Sequence, residues 1–277
     1  MSLRNLPEIK AFDRNSVLSF EPDDVALSRW KPGVHAATEG DDNVISIYDI
    51  ISEWDGVSTS RIAAALRRIG KNEVTVNINS PGGDFFEGIG IYNLLREHPA
   101  KVTVKIMGMA ASAASVVAMA GDDIQISEVG FIMVHNAWAI AIGNRHDFRS
   151  AADTLEPFDA AMAGLYATRA GVDRSEAVKW MDAETWFNGA QAIEAGLADR
   201  ILSSSEVDNT GAQGTQTLAA LRRVDTALAK QGVPRSERRT LLSEIKNGKP
   251  GAAVTAMQDA GDELSASLAD LLKTVNS

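Results

Sequence analysis

Apolar and polar residues alternate in two rhythms along most of this chain. Asn43-Val-Ile-Ser-Ile-Tyr48 and Val74-Thr-Val-Asn-Ile78 show the period of two expected of strands, and Lys101–Ile106, Ile124–Ser127 and Phe131–Val134 read as further strands. Between them the period lengthens to that of helices. Ser58-Thr59-Ser60 offers caps for a helix through Ile69 that Gly70 closes, and a helix over 84–97 is stopped by Pro99. A third helix, built from small residues, covers about Ala111–Ala120. Strands and helices in alternation predict parallel strands joined by crossover helices.

The pattern changes after Asn144. A long helical stretch runs to Ala170, with Pro157 expected to bend or divide it, and shorter helices are expected at Arg174–Met181 and Asn188–Ala195, ending at Gly196. Ser203–Thr217 is rich in Ser, Gly, Asn and Gln, the composition of a flexible linker. Three helical patterns follow it, Leu218–Gln231, Arg235–Asn247 and Asp262–Val275, without strands. The expected organisation is an arm over 1–41, an α/β domain over 42–202, a linker over 203–217 and a helical extension over 218–277.

Composition narrows the function classes. With 45% hydrophobic residues the chain has material for a sizeable core, and its 277 residues suit one α/β domain with appendages or two domains. A net charge of −10 argues against nucleic acid as the main partner, since phosphate binding needs a basic footprint. Cysteine is absent, which removes disulfides, thiolate metal sites and Cys nucleophiles and agrees with a cytoplasmic location. No apolar run of spanning length and no signal-peptide pattern at Met1–Phe20 is present, so neither membrane nor export is expected.

Ligands of open parallel sheets gather at the carboxyl ends of the strands. Two segments leave strand ends there, Asn79-Ser-Pro-Gly-Gly-Asp84 and Gly108-Met-Ala-Ala-Ser112. Pro-Gly-Gly turns backbone N–H groups toward a bound group without Cβ obstruction, which suits a developing negative charge. Ser112 stands among small neighbours at the start of a helix, as either an accessible nucleophile or a capping serine in a tight packing seam. Of the four histidines, His35, His98 and His146 read as surface residues. His135 emerges from the apolar strand Phe131–Val134, as either a base for Ser112 or a satisfied structural residue. Asp182 and Glu184 offer acids to orient an imidazole, or simply cap helices.

Four of these segments, Asn79-Ser-Pro-Gly-Gly83, Gly108-Met-Ala-Ala-Ser-Ala113, Phe131-Ile-Met-Val-His135 and Ala192-Ile-Glu-Ala-Gly-Leu-Ala-Asp199, resemble the ClpP family of serine peptidases, in its order and at nearly its spacing. The resemblance covers about residues 43–202 and is greatest to the phage and prophage branch, the ClpP-related head maturation proteases. It implies a ClpP/crotonase-like α/β fold with a protruding handle helix over Asn144–Ala170, whose Leu155, Phe158, Met162 and Leu165 would supply contacts between rings. It also implies Ser112 as nucleophile, His135 as general base, and the amides of Gly83 and Ala113 as oxyanion hole. Glu184 is the preferred acid and Asp182 its alternate. No metal or organic cofactor is needed. The implied partners are polypeptide substrates, further copies of the chain in rings, and a Clp-type ATPase or phage capsid and scaffold proteins. Three other readings compete: an inactive protease fold serving capsid assembly, with Arg235, Arg238 and Arg239 in an interaction surface; a crotonase-type acyl-CoA enzyme; and a Ser–Lys dyad using Lys105, which the preceding strand holds away.

Overall fold

The computed structural model describes residues 21–36, 42–141, 143–208 and 213–246. In chain order these form α1 (Asp24–Arg29), β1 (His35–Ala36), β2 (Val44–Ile47), α2 (Thr59–Ile69), β3 (Val74–Ser80), α3 (Phe85–Arg96), β4 (Val102–Ala111), α4 (Ala113–Ala118), β5 (Asp123–Ile126) and β6 (Phe131–Val134). There follow α5 (Arg145–Ala170), α6 (Arg174–Asp182), β7 (Thr185–Asn188), α7 (Gly189–Glu194), β8 (Arg200–Ile201), β9 (Val207–Asp208), α8 (Gln213–Lys230) and α9 (Arg235–Lys246). The expected mixed α/β fold with a largely parallel sheet is the fold observed.

The main sheet has the parallel order β2-β3-β4-β5-β8. Its inner strands turn one apolar face to the core, where Val76, Ile78, Val104, Ile106, Ile124 and Ile126 are all fully buried, while the alternate positions Thr75, Asn77, Thr103, Lys105 and Gln125 make the opposite face polar. β4 forks. Its first half pairs with β5 through Thr103–Ile106, and its second half leaves that partner and pairs with β6 through Met109–Ala111. The register against β3 shifts between Ile78 and Ser80, beside Gly108, where an added Cβ would stand 2.7 Å from Asn79 Oδ1. β6 in turn carries the antiparallel β7. The fork therefore opens a notch at the carboxyl ends of β3, β4 and β6.

Helix limits follow local chemistry. The Ser58 side chain accepts from Arg61 N at the start of α2, Asp84 accepts from Phe86 N and Glu87 N at the start of α3, and Asn144 forms a capping box on α5. Pro157 does not divide α5. It and Asp153, whose carbonyl it leaves without a helical partner, both lie on the exposed side, where water replaces the lost bond.

Three expectations are corrected. Phe158, Met162 and Leu165 do not form an outward contact surface; they are 2, 4 and 5% exposed inside the chain's own core, with Phe158 stacked on Phe85 at 5.0 Å. The exposed part of α5 is its first half, around Phe148. The segment 203–217 is not uniformly a linker. Ser204–Glu206 forms a 3-10 turn, β9 pairs antiparallel with β1, and α8 already begins at Gln213, while 209–212 lie outside the described residues. Pairing with the arm supplies what composition alone did not signal. Likewise the arm contains α1, whose Ala26 and Leu27, with the following Trp30, share a buried cluster with Ile50, Met109, Ala111, Met133 and Ala219. The helical pattern expected over Asp262–Val275 also lies outside the described residues.

Among the described residues no helix is long and apolar enough to cross a membrane.

Candidate functional site

Ser112 occupies the joint between β4 and α4 with φ 53° and ψ −126°, a conformation rare for a residue with a side chain. The joint is held from several sides. Ser112 N donates to Met133 O at 3.0 Å, and Ser112 O accepts from Ser115 N at 2.9 Å and Ser115 Oγ at 2.6 Å. Beneath it, Ser115 Oγ lies 2.8 Å from the hydroxyl of the fully buried Tyr166 on α5. Because a carbonyl only accepts, Ser115 donates to Ser112 and Tyr166 donates to Ser115. Desolvation raises the Tyr166 pKa, so the phenol keeps its proton.

The joint has no room for larger neighbours. Ala110, Ala111, Ala113 and Ala114 are buried, and a Cβ on Gly88 of α3 would meet the Ala113 methyl at 3.0 Å. The packing seam expected of such residues is thus real, but the serine does not serve it as a cap: its side chain makes no capping bond. It points instead to His135, whose Nε2 stands 2.6 Å from Ser112 Oγ.

His135 follows the last residue of β6 and is 6% exposed. Burial lowers its pKa below the usual 6.5, while the charges of Asp23 and then Glu184 act in the opposite direction. At neutral pH the imidazole is therefore uncharged, and with its proton on Nδ1 it presents Nε2 as an acceptor to the serine hydroxyl.

The Pro-Gly-Gly turn lies across this pair. Gly82 and Gly83 have φ of 91° and 141°, and neither position tolerates a side chain: a Cβ on Gly83 would stand 2.2 Å from Ile51 O, and one on Gly82 would stand 2.7 Å from Ser112 Cβ and 3.0 Å from Ala113 N. The loop after β2 fixes the turn, with Ile51 N donating to Gly82 O at 2.8 Å and Asp84 N donating to Ile51 O at 2.9 Å. Among the described residues the N–H groups of Gly83 and Ala113 donate to no protein acceptor, as two donors reserved for a ligand oxygen would.

The acids are less direct. Glu184, just before β7, has a left-handed conformation, φ 46°, and acts on the imidazole by charge. Asp182 Oδ1 accepts instead from Asn136 Nδ2 at 2.9 Å, on the residue after the histidine. Among the described residues neither hydrogen-bonds to the imidazole. Asp23, unconsidered in the sequence, contributes more charge to His135 than Glu184 does, and it reaches the site because α1 packs beside β6. Its visible signal was Pro22-Asp23-Asp24, a helix start; the proximity was not legible. Lys105 Nζ is committed to Glu206 Oε1 at 2.7 Å, away from the serine. His98, half-buried after α3 and 2.7 Å from Asn72 O, and His146, exposed at the start of α5, lie away from the serine.

The sequence of the Clp protease family matches residues 44–205, the stretch that contains Ser112, His135 and the Pro-Gly-Gly turn. The ATP-dependent Clp protease proteolytic subunit 1 of Streptomyces avermitilis is 30% identical over 160 residues, 55% of this chain and 73% of that protein. The proteolytic subunit 3 of Rhodococcus jostii is 29% identical over 136 residues, 48% and 67% of the two chains, and the Deinococcus radiodurans subunit is 26% identical over 143 residues, 51% and 70%.

Proposed function

The chain belongs to the Clp protease family, and from that premise we propose that it is a serine endopeptidase whose nucleophile is Ser112. The observation that carries this reading is the 2.6 Å approach of Ser112 Oγ to an uncharged, buried imidazole.

His135 Nε2 removes the hydroxyl proton as Oγ attacks a peptide carbonyl. The carbonyl oxygen, now negative, is held by the N–H groups of Gly83 and Ala113, each worth about 3–4 kcal/mol in such a role. The imidazolium passes its proton to the leaving amine, which departs with the C-terminal product. Water then attacks the acyl-enzyme, giving its proton to His135, and Ser112 is regenerated. Glu184 stabilises the imidazolium by charge, and Asp182 acts one step removed through Asn136. Small residues on both sides of Ser112, Ala110, Ala111, Ala113 and Ala114, let the hydroxyl stand clear of its own backbone.

The substrates proposed are polypeptides, and in a phage setting capsid or scaffold proteins. Ring assembly with further copies of the chain, and cooperation with a Clp-type ATPase, are proposed from the family membership and from the names of the relatives as ATP-dependent protease subunits. A cytoplasmic site of action is proposed with them.

Labelling with a fluorophosphonate probe tests the reading. The unaltered chain is expected to take up one probe at Ser112 and Ser112→Ala none; a folded chain that resists the probe would instead support the assembly-module reading.

A further inference from the structure

The space before the Ser112 hydroxyl is about 20 Å³, room for roughly one water and for no peptide. One wall is Glu21, from the arm, opposite Gly83 and His135. Glu21 is not held there by the α/β domain alone. Both Nη atoms of Arg238, on α9, bond its carboxylate at 3.3 Å, and the two side chains are only 8 and 5% exposed. Asp225 of α8 adds a charge contact to the same guanidinium at 3.2 Å. A second wall is Trp138, and Lys230 at the end of α8 lies 5.4 Å from its ring while also pairing with Asp24 of the arm.

The rest of the helical pair is docked in the same sense. Arg222 forms a two-pronged pair with Asp49 at 2.8 and 3.0 Å, and Arg239 contacts Asp55 at 3.4 Å. Bases on α8 and α9 thus meet acids on the arm and on the loop after β2, the loop that fixes the Pro-Gly-Gly turn. The apolar core that α8 and α9 share is small, Ala220, Val224, Leu228 and Ile245. Besides these ionic contacts, only the start of α8, Leu218 and Ala219, joins the apolar cluster of α1 among the described residues, and a pair docked so lightly can detach without unfolding the main sheet.

We propose that α8 and α9 form an autoinhibitory latch: through Arg238 and Lys230 they hold the arm across the catalytic notch, and polypeptides enter only when the pair lifts. This rests on Ser112 being the nucleophile. Closure lowers apparent substrate affinity by the fraction of chains that are open, so release raises hydrolysis until that fraction reaches one.

The test uses the full chain, which has no cysteine of its own. Glu21→Cys/Arg238→Cys removes the clamp and permits its replacement by a short bis-maleimide bridge. Lys230→Ala removes a half-exposed contact at little risk to folding. Hydrolysis of a ten-residue fluorogenic peptide is expected to rise about fivefold or more in the unbridged double variant and in Lys230→Ala, and to fall to or below the unaltered rate once the bridge is closed. Equal rates with and without the bridge, or no rise in a variant that melts like the unaltered chain, would overturn the latch. Labelling of Ser112 by diisopropyl fluorophosphate separates the two failures. If every form labels but peptide rates do not differ, only the latch falls; if no form labels, the nucleophile reading falls and takes the latch with it.

Discussion

Gly82 offers the sharpest check on the geometry of the notch. A methyl placed on it would lie 2.6 Å from Ala111 O, 2.7 Å from Ser112 Cβ and 3.0 Å from Ala113 N. The first two contacts involve backbone or a locked Cβ, so the turn itself must shift, and its φ of 91° adds a strain of about 1–3 kcal/mol for a residue with a side chain. At roughly 2–4 °C per kcal/mol this predicts a melting temperature lower by about 2–12 °C. The effect on the reaction is predicted to be larger, because the methyl intrudes beside the Ala113 N–H and displaces the turn that carries the Gly83 N–H. Loss of one oxyanion donor costs about 10²–10³ in kcat. The assay is kcat on a fluorogenic peptide with the latch released by Lys230→Ala, alongside circular-dichroism melting. Gly70→Ala is the control: φ is 75°, nothing lies within 4 Å of the new methyl, and the site is remote, so strain is expected without any loss of rate. A folded Gly82→Ala protein with kcat within about threefold of its parent would refute the assignment of this turn to the oxyanion hole.

Other outcomes follow from the same residues. The rate of Ser112 labelling should fall on acidification with a midpoint below 6.5, since burial lowers the His135 pKa; Asp23→Asn should move that midpoint lower still, and further than Glu184→Gln does. Because the folded form binds that proton less readily than the unfolded chain, the contribution of His135 to stability is constant above about 6.5 and is lost as pH falls from there toward the folded value, which urea titrations at several pH values will read. Ser115→Ala strands the buried Tyr166 hydroxyl and should cost about 1–3 kcal/mol, whereas Ser115→Ala/Tyr166→Phe should cost less than the sum of its parts, a double-mutant cycle by denaturant melts. Pro157→Ala, on the exposed side of an otherwise continuous helix, should raise stability by about 1–3 kcal/mol in the same melts.

The parts of the fold that were legible are those whose determinants are local. Ser58, Asp84 and Asn144 cap their helices, and Gly70 and Pro99 end theirs, each within a residue or two of the expected limit. The serine, the histidine and the Gly-Gly turn were legible because strand ends converge in a parallel sheet. What escaped was set by distant pairing. Gly108, Ala110 and Ala111 have little strand preference and read as a loop into a helix, yet β6 on one side and β3 on the other draw them into β4. Thr185–Asn188 read as the approach to a helix and is a strand only because β6 is there to pair with it. The proximity of Asp23 and Glu21 to the serine depends on how the arm packs, and Arg238 reaches Glu21 across 217 positions of sequence. No window of sequence contains that information.

The fork of β4 has a consequence for how the molecule exchanges its amide hydrogens with solvent. On either side of the bend at Met107-Gly108 the strand is paired on both flanks, to β3 on one side and to β5 and then β6 on the other, so its N–H groups there open only with the whole sheet. The backbone beneath the nucleophile thus belongs to the slowest-exchanging part of the chain, and α8 and α9, within one chain length of it, to a far quicker one. Deuterium should label the helices that screen the hydroxyl long before it reaches the strand that positions it.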